Sequence, residues 1–459
     1  AKEDNLEQYT ELSRNNLRQC MLNSLSIAPN DIAKVVKHMY KNEFVCSSSR
    51  HNMWFQFKNH RWREIDNAVE LRKRLSHEVV DEYLKLNMYI SKQAYEVNDS
   101  ITSKEKQLHV ENLKIIQKII EKLKTTSFKK NVIVECSELF HDDEFETRLD
   151  KKLYLIGFEN GVYDLDKLEF RDGVYEDYIS LTTGVNYYDH DEDDENLLNV
   201  IKFVEQVLPK RTVREYVLKL MATFLHGAVK QEKFHIWTGC GGNGKSKIIE
   251  LFELAFGDYC GKLSVTNVTQ KRPASNACTP ELLKNKGKRF VTLQEPDDDE
   301  SIHVGAMKEL TGGDKIQARG LFKDPIEFKP QWKIVMTSNV LPNVSANDNG
   351  TWRRIRVTEF ISRFMEPKDM KPGKKYQFPI DYDLSTKLEM WPEAFMNILI
   401  QAYGDFTENG LEEPPEVLKN TAAYKEESDC MLQFINECLE ESLKDKVKVD
   451  ETYNVFKEW

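Results

Sequence analysis

The segment from Gly239 to Ser246 has the residue types and the spacing of a phosphate-binding loop. Its residues are, in order, Gly239, Cys240, Gly241, Gly242, Asn243, Gly244, Lys245 and Ser246. They match the pattern G-x-x-x-x-G-K-S/T, in which glycines let backbone N–H groups turn onto phosphate oxygens. We expect Lys245 to reach the β- and γ-phosphates and the Ser246 hydroxyl to bind Mg²⁺. The loop therefore predicts nucleotide binding.

A carboxylate ends the next apolar segment, Arg289 to Glu295 (RFVTLQE). A strand that ends in an acid after a phosphate loop is typical of a Walker B element, whose carboxylate polarises the attacking water and helps to hold the metal. Gln294 stands where many such strands carry a first acid, so metal binding would depend more on Ser246 and water. We predict Glu295 as the catalytic carboxylate and, with Ser246, as a metal ligand.

Three more polar residues follow a third apolar segment, Trp332 to Ser338. Asn339 comes directly after it, and an amide at a strand tip beside the phosphate loop can orient water against the γ-phosphate. Arg353 and Arg354 lie within Gly350 to Arg356, the segment that begins a predicted fourth strand. An arginine supplied across a subunit interface stabilises charge on the transferred phosphoryl group. The pattern does not separate these two arginines.

The hydrophobic pattern predicts the elements that hold these groups. Phe234 to Thr238 is an apolar run of strand length before the loop, and apolar residues at helical spacing follow it from Ile248 to Leu254. Further helices are predicted over Asp31–Tyr40, Asn67–Leu86, Glu111–Leu123 and Leu197–Leu225, strands within Leu153–Tyr188 (one of them Tyr178–Thr182), and a hairpin turning at Lys58–His60. Strand, loop and helix thus follow in the order that a phosphate loop requires.

Composition excludes several classes of protein. The 459 residues include 65 basic and 76 acidic side chains, a net charge of −11. The longest apolar runs fall far short of the about 20 residues of a membrane span, so we expect no membrane association. Eight scattered cysteines without a C-x-x-C pair indicate neither a zinc ribbon nor a redox dithiol. The first residue is Ala1 rather than Met, and Trp459 lies inside a helical pattern, so we expect a fragment.

The motifs, taken in order, resemble those of superfamily 3 helicases, and most closely the helicase half of poxvirus- and asfarvirus-type primase–helicases of large DNA viruses. The matching segments are Gly239–Ser246, Arg289–Glu295, Lys308–Asp314, Ala318–Arg319, Trp332–Pro342 and Gly350–Arg354. Phe158–Leu165 (FENGVYDL) resembles the domain that precedes these helicases, and Asp429–Glu437 with Val449–Trp459 resembles the start of their C-terminal winged helix.

The resemblance implies an α/β fold: an AAA+ core with a central, mainly parallel sheet. It divides the chain into a helical N-terminal region with a small β element (1–125), a small α/β collar region (126–195), the helicase core (196–370) and a helical C-terminal region (371–459). It also implies a homo-hexameric ring that hydrolyses ATP with Mg²⁺ at subunit interfaces and moves on DNA. An upstream primase domain and a viral replication factory in the host cytoplasm are further implications.

A hairpin is the predicted DNA contact. Extended segments Lys315–Leu321 and Ile326–Phe328 flank a turn with Phe322 and Lys323 at its tip, which matches the family's pore hairpin, and Arg319 lies on its first arm. A cation for phosphate and a ring for base or sugar form a sequence-tolerant grip on single-stranded or forked DNA. The stretch 262–289 carries seven basic residues and one acid, and it either lines the channel or faces solvent.

Three functions are consistent with this set of motifs. A replicative DNA helicase driven by ATP is the leading prediction. The alternatives are a DNA remodelling or packaging motor with the same site, and a nucleotide-gated module that binds DNA or primase with little unwinding. The net acidity does not exclude DNA, because the field at a site depends on the local distribution of charge, and acids are concentrated at Asp189–Glu195 and Asp297–Glu300.

Overall fold

The computed structural model describes residues 2–96, 103–271, 277–296, 300–321, 324–344, 349–429, 434–435, 437–440, 442 and 446–459. The chain forms two compact units. Unit 1 comprises residues 1–151 and 173–180, and unit 2 comprises residues 152–172 and 181–459. The finer division at residues 125, 195 and 370 stays a prediction. In the described ranges, no helix is long and apolar enough to cross a membrane.

Unit 1 is mainly helical with one small sheet. Its helices are α1 (Lys2–Asn23), α2 (Pro29–Tyr40), α3 (Val69–Ser76), α4 (Glu78–Glu96), α5 (Ser103–Leu123), α6 (Thr126–Leu139) and α7 (Phe145–Arg148). Its strands β1 (Phe44–Ser48), β2 (Met53–Lys58) and β3 (Arg61–Asp66) pair antiparallel in that order. The predicted hairpin is confirmed, with Asn59 and His60 at positive φ in its turn. The single helix predicted over Asn67–Leu86 is wrong, because the backbone leaves helical geometry at His77.

Unit 2 begins with an antiparallel meander of β4 (Leu155–Phe158), β5 (Gly161–Asp164) and β6 (Glu169–Arg171). Two helices follow, α8 (Glu195–Val207) and α9 (Arg211–Thr223). They replace the one helix predicted from Leu197 to Leu225, because Pro209 has no N–H for a continuous helix. The strand predicted at Tyr178–Thr182 is also wrong. The N–H groups of Ser180 and Thr182 bond to the carboxylates of Asp150 and Asp258 instead of to another strand.

A five-stranded, all-parallel sheet forms the centre of unit 2. Its strands are β7 (Phe234–Thr238), β8 (Cys260–Leu263), β9 (Phe290–Leu293), β12 (Lys333–Thr337) and β13 (Ile355–Glu359). They lie in the order β13-β7-β12-β9-β8. The predicted α/β fold with a mainly parallel sheet is therefore confirmed. The fourth predicted strand begins at Ile355 and not at Gly350, because residues 349–352 form a helical turn that bonds Arg353 N to Asn349 O at 3.0 Å.

The remaining elements cover the sheet and extend from it. The helices are α10 (Lys245–Phe256), α11 (Thr266–Thr269), α12 (Pro280–Lys284), α13 (Val304–Thr311), α14 (Asn349–Trp352), α15 (Leu384–Met390), α16 (Pro392–Asn409), α17 (Pro415–Ser428) and a last helix, Val449–Glu458. The small strands are β10 (Ile316–Ala318) paired antiparallel with β11 (Ile326–Phe328), and β14 (Arg363–Met365) paired with β15 (Gln377–Pro379).

Both faces of the central sheet are buried, which explains why its strands are continuous apolar runs. On one face Trp237 and Val335 join a core with side chains of α9, α10 and α16, among them Phe252 and Phe395. On the other face Ile236 joins a second core with residues that include Leu310, Trp332 and Tyr424. The sheet is therefore held rigidly between two layers, and the residues after its strands have fixed positions.

Candidate functional site: a phosphate loop at the carboxyl edge of the sheet

The carboxyl ends of β7, β9 and β12 lie side by side, because these strands are parallel neighbours. In register, Thr337 of β12 is opposite Trp237 of β7, and Met336 is opposite Leu293 of β9. The phosphate loop follows β7, Glu295 follows β9, and Asn339 follows β12. Three groups that are far apart in the sequence therefore meet at one edge.

Two glycines give the loop its shape. Gly239 has φ +136°, and a Cβ there would lie 2.4 Å from the carbonyl oxygen of Phe360. Gly244 has φ +84° and stands at the N-terminal cap of α10, where a Cβ would lie 2.7 Å from a methyl group of Val207. Neither position accepts a side chain without strain, so the turn from β7 into α10 depends on glycine.

Lys245 lies in the first turn of α10 and is only 6 % exposed. Its ammonium donates to Gly239 O at 2.8 Å and to the side-chain oxygen of Asn339 at 3.1 Å. Burial lowers the pKa of Lys245, while the charge of Glu295 acts in the opposite direction. The cation is thus held at the mouth of the loop by neutral acceptors, which the stronger acceptor oxygens of a phosphate can replace.

Glu295 and Asn339 form a hydrogen-bonded pair. The carboxylate accepts from the Asn339 backbone N–H at 2.6 Å and from its side-chain amide at 3.2 Å. Ser338, which is buried, donates to the same carboxylate at 3.4 Å. The amide of Asn339 therefore bridges Lys245 and Glu295, and the structure brings these three predicted residues together.

The oxygens available for a metal ion are those of Ser246 and Glu295. Both residues are exposed at this edge, and hydroxyl and carboxylate oxygens suit Mg²⁺, which keeps several water ligands and takes phosphate oxygens as well. Gln294, next to Glu295, is also exposed but supplies an uncharged amide. Among the residues with described positions, no group of three or more His, Cys, Asp or Glu side chains could hold a metal alone. The donors present fit a metal that arrives with a nucleotide.

Arg353 and Arg354 lie at the opposite edge of the sheet. The carbonyl of Arg354 accepts from Phe234 N at 2.8 Å, at the start of β7, and a strand of five residues separates this edge from the loop by about 15 Å. Arg354 is 12 % exposed and pairs with Glu232 at 2.7 Å. Arg353 is 69 % exposed, at 3.4 Å from the same carboxylate. Neither arginine can reach the loop of its own chain.

The sequence motifs missed one segment that contacts the loop, which runs from the end of β13 into β14. Phe364 N donates to Gly242 O at 2.7 Å, and the Arg363 guanidinium lies 3.7 Å from the sulfur of Cys240. The Asn243 amide donates to Phe360 O at 3.4 Å. The pattern gave no signal for these contacts, since they join an apolar strand end to backbone groups of a loop. These contacts fix the phosphate loop against the segment between β13 and β14.

The predicted DNA contact is described in part. The two arms of the hairpin are confirmed as β10 and β11, whereas Phe322 and Lys323 lie outside the described residues. The Arg319 backbone bonds to Thr279, with N to Oγ1 at 3.0 Å and O to N at 2.9 Å. In the basic stretch 262–289, Arg289 is 2 % exposed and donates to the carbonyl of Leu155 at 2.6 Å. This residue therefore has a structural role in the core and does not line a channel.

Two family models match the chain. Residues 33–209 match the family described as "D5 N terminal like", and residues 237–354 match a "Family of unknown function (DUF5906)". The second match begins in β7, contains the phosphate loop, Glu295 and Asn339, and ends at Arg354.

Curated relatives come from large DNA viruses. "Putative helicase L207/L206" of Acanthamoeba polyphaga mimivirus is 37 % identical over 467 residues, covering 100 % of this chain and 48 % of the relative. "Putative helicase 022R" of Frog virus 3 is 26 % identical, covering 93 % and 54 %. "Putative primase C962R" of African swine fever virus is 25 % identical, covering 93 % and 47 %. The chain thus spans about half the length of the curated relatives it matches.

A solved structure, "The A form apo structure of NrS-1 C terminal region-CTR", aligns with 54 % of this chain and 54 % of its own. Its TM-score is 0.39 and its identity is 15 %. At that score the likeness supports no inference about fold or function.

Proposed function

Because this chain belongs to the D5-type primase–helicase family of large DNA viruses, we propose that it is the ATP-driven motor of a replicative DNA helicase. The observation that carries the proposal is the meeting of Lys245, Asn339 and Glu295 beside the phosphate loop, where Asn339 is hydrogen-bonded to each of the other two. This arrangement supports an AAA+ core of the superfamily 3 type.

Each residue has a role in ATP hydrolysis that follows from its position. Lys245 neutralises charge on the β- and γ-phosphates. Glu295 accepts a proton from the water that attacks the γ-phosphorus, and Asn339 orients that water against the phosphate. Ser246 and Glu295 would hold Mg²⁺, which supplies charge neutralisation on the phosphate oxygens when it is bound. The Glu295–Asn339 pair keeps the base next to the group that positions its water.

The arginine finger is Arg353 in this proposal, acting on the nucleotide of a neighbouring subunit. It lies at the edge of the sheet opposite its own loop, so only another copy could receive it. Its side chain is 69 % exposed and lies 3.4 Å from Glu232, whereas the side chain of Arg354 is 12 % exposed and pairs more closely with the same carboxylate, at 2.7 Å. A closed homo-hexameric ring would give every loop such an arginine.

Membership of this family also suggests which partners the chain binds and where in the host cell it acts. We infer that single-stranded or forked DNA passes the hairpin formed by β10 and β11, whose proposed contacts are Phe322, Lys323 and Arg319. A primase segment in the same full-length protein is a further proposed partner, since one relative is named as a primase. The proposed place of action is a viral replication factory in the host cytoplasm.

Replacement of Lys245 by Ala tests the ATPase assignment. We expect Lys245→Ala to abolish ATP hydrolysis, because no other described cation donates to both the loop and Asn339. Lys247→Ala is the matched control, since Lys247 lies on the same helix but pairs with Glu250. Steady-state phosphate release measures both variants. Wild-type turnover by Lys245→Ala would refute the assignment of this loop.

A further inference from the structure

The backbone of Arg353 is held by two cations. The Lys233 ammonium donates to the Arg353 carbonyl at 2.8 Å, and the Arg356 guanidinium donates to the same oxygen at 3.1 Å. The side chain of Arg353 remains 69 % exposed. The residue is thus fixed through its main chain, while its exposed guanidinium makes a long contact to Glu232, at 3.4 Å.

One carboxylate, that of Glu413, pairs with both cations. Glu413, in the loop between α16 and α17, has one oxygen 2.6 Å from Arg356 Nε and 3.7 Å from Lys233 Nζ. The side chains of Arg356, Lys233 and Glu413 are 12 %, 20 % and 23 % exposed. Ion pairs at this depth are screened less by salt than surface pairs, so the carboxylate constrains both cations. The contacts run from Glu413 through Lys233 and Arg356 to the main chain of Arg353.

The charge of Glu413 also opposes the effect of burial on the pKa of Lys233. Burial lowers the pKa of Lys233, and the guanidinium of Arg356 lowers it further. The carboxylate of Glu413 raises the pKa of Lys233. Two cations facing one carbonyl repel each other, and a carboxylate between them offsets this repulsion. Loss of the negative charge would therefore loosen the contacts to Arg353 even if the fold persisted.

We propose that Glu413 is a positioning residue that sets the arginine finger Arg353 for catalysis in the neighbouring subunit. This inference rests on the proposed function, in which Arg353 acts in trans. It joins the C-terminal helices α16 and α17 to the active site of another copy, although Glu413 touches neither nucleotide nor phosphate loop. Its effect should appear in turnover and not in the binding of ATP.

Glu413→Gln tests the inference, and Glu412→Gln is the matched control. Glu412 is the adjacent glutamate and is exposed, so its replacement makes the same change of charge without touching Lys233 or Arg356. We expect Glu413→Gln to lower kcat for ATP hydrolysis by about 10²-fold, as misplacement of a catalytic group by about 1 Å can do, with KM for ATP within about twofold. Glu413→Asp, which keeps the charge, should retain more turnover than Glu413→Gln. Glu412→Gln should match the wild type.

Mixing of subunits separates positioning from a structural role. Lys245→Ala subunits have no working loop but carry an intact Arg353, so they should restore hydrolysis to the loops of Glu413→Gln subunits. Arg353→Ala mixed with Lys245→Ala is the positive control and should behave in the same way. A Glu413→Gln protein that is merely misfolded would gain nothing from mixing.

Each failure has a distinct meaning. If Arg353→Ala alone keeps wild-type turnover, the proposed finger is wrong. If Arg353→Ala loses turnover while Glu413→Gln keeps it, only the positioning role of Glu413 is overturned. That role is also overturned if Glu413→Gln loses turnover and mixing does not restore it. A rise in KM without a fall in kcat would overturn it as well.

Discussion

Lys245 is positioned by the protein's own acceptors, and this pre-organisation is the main chemical feature at the residue scale. Gly239 O and the Asn339 side chain accept from its ammonium, and Asn339 in turn donates to Glu295. A phosphate group that displaced these acceptors would meet a cation already in place, which avoids reorganisation during the reaction. The same bridge connects the cation that we propose binds phosphate to the proposed base.

Substitution of the two arginines separates a catalytic from a structural role. We expect Arg353→Ala to lower kcat by about 10³-fold or more, as loss of an arginine finger does, with an unchanged unfolding temperature. Arg354→Ala should lower the unfolding temperature, because its guanidinium is 12 % exposed and pairs with Glu232 at 2.7 Å. Phosphate release and thermal denaturation measure the two effects. The reverse pattern would exchange the two roles.

Most of the candidate site residues could be predicted from the sequence, but the contacts between them could not. Spacing predicted Lys245, Glu295 and Asn339 as site residues, since each comes shortly after an apolar strand, and the structure places the three side by side. Spacing could not distinguish Arg353 from Arg354, because both lie near Glu232 and only the tertiary structure leaves one side chain exposed and the other mostly covered. No sequence pattern pointed to Glu413, because its two contacts lie in distant segments of the chain. Lys233 directly precedes β7, and Arg356 lies in β13.

At the scale of elements, the turn between β7 and α10 depends on backbone conformations that favour glycine. Gly239→Ala should lower the free energy of unfolding of unit 2 by about 1–3 kcal/mol, because φ is +136° and the new Cβ would meet Phe360 O. Gly241→Ala is the control, since a Cβ there meets no atom within 4 Å. Its change should stay within about 0.5 kcal/mol in denaturant unfolding. Equal effects of the two substitutions would contradict this account of the loop.

Strand β7, which lies between β13 and β12 in the parallel sheet, also carries a buried histidine that makes stability depend on pH. Burial, with the charges of Arg356 and Lys233, lowers the pKa of His235 to about 3. An unfolded chain protonates this residue near pH 6.5, so the stabilisation is complete above that pH and is lost as the pH falls towards 3. The expected loss from His235 between pH 7 and pH 5 is about 2 kcal/mol.

The variant His235→Leu tests this dependence, because it removes the titrating group while keeping an apolar side chain in the strand. The slope of unfolding free energy against pH, measured by denaturant titration between pH 5 and 7, should be smaller than in the wild type. A slope equal to that of the wild type would show that His235 does not contribute. His226, whose pKa is lowered to about 4 by burial and nearby cations, contributes in the same direction in both proteins.

The boundaries of strands are where the hydrophobic pattern of the sequence and the tertiary structure disagree. The strands β7, β9 and β12 were predictable because a sheet buried on both faces requires apolar runs. The start of β13 was missed, since Gly350 to Trp352 also fits an extended pattern, yet Thr351 is fully buried in a helical turn. The strand predicted at Tyr178–Thr182 failed because side-chain carboxylates satisfy its N–H groups.

At the scale of the whole molecule, a net charge of −11 must be compatible with the proposed DNA binding. The hairpin residue Lys323 is the proposed phosphate contact, by resemblance. We expect Lys323→Ala to keep basal ATP hydrolysis and to lose most of the stimulation by single-stranded DNA. Lys202→Ala, an exposed lysine on α8, is the control and should be stimulated normally. Unchanged stimulation of Lys323→Ala would refute the hairpin as the DNA contact.

Whether this chain is a motor driven by DNA can be tested by measuring ATP hydrolysis with and without single-stranded DNA. We expect that DNA stimulates the wild-type rate, that the wild-type rate rises with DNA concentration to a plateau, and that the Lys245→Ala protein hydrolyses no ATP in either condition. A hydrolysis rate that DNA leaves unchanged would instead support a nucleotide-gated binding module. A wild-type rate of hydrolysis by the Lys245→Ala protein would contradict the proposal that this loop is the site of ATP hydrolysis.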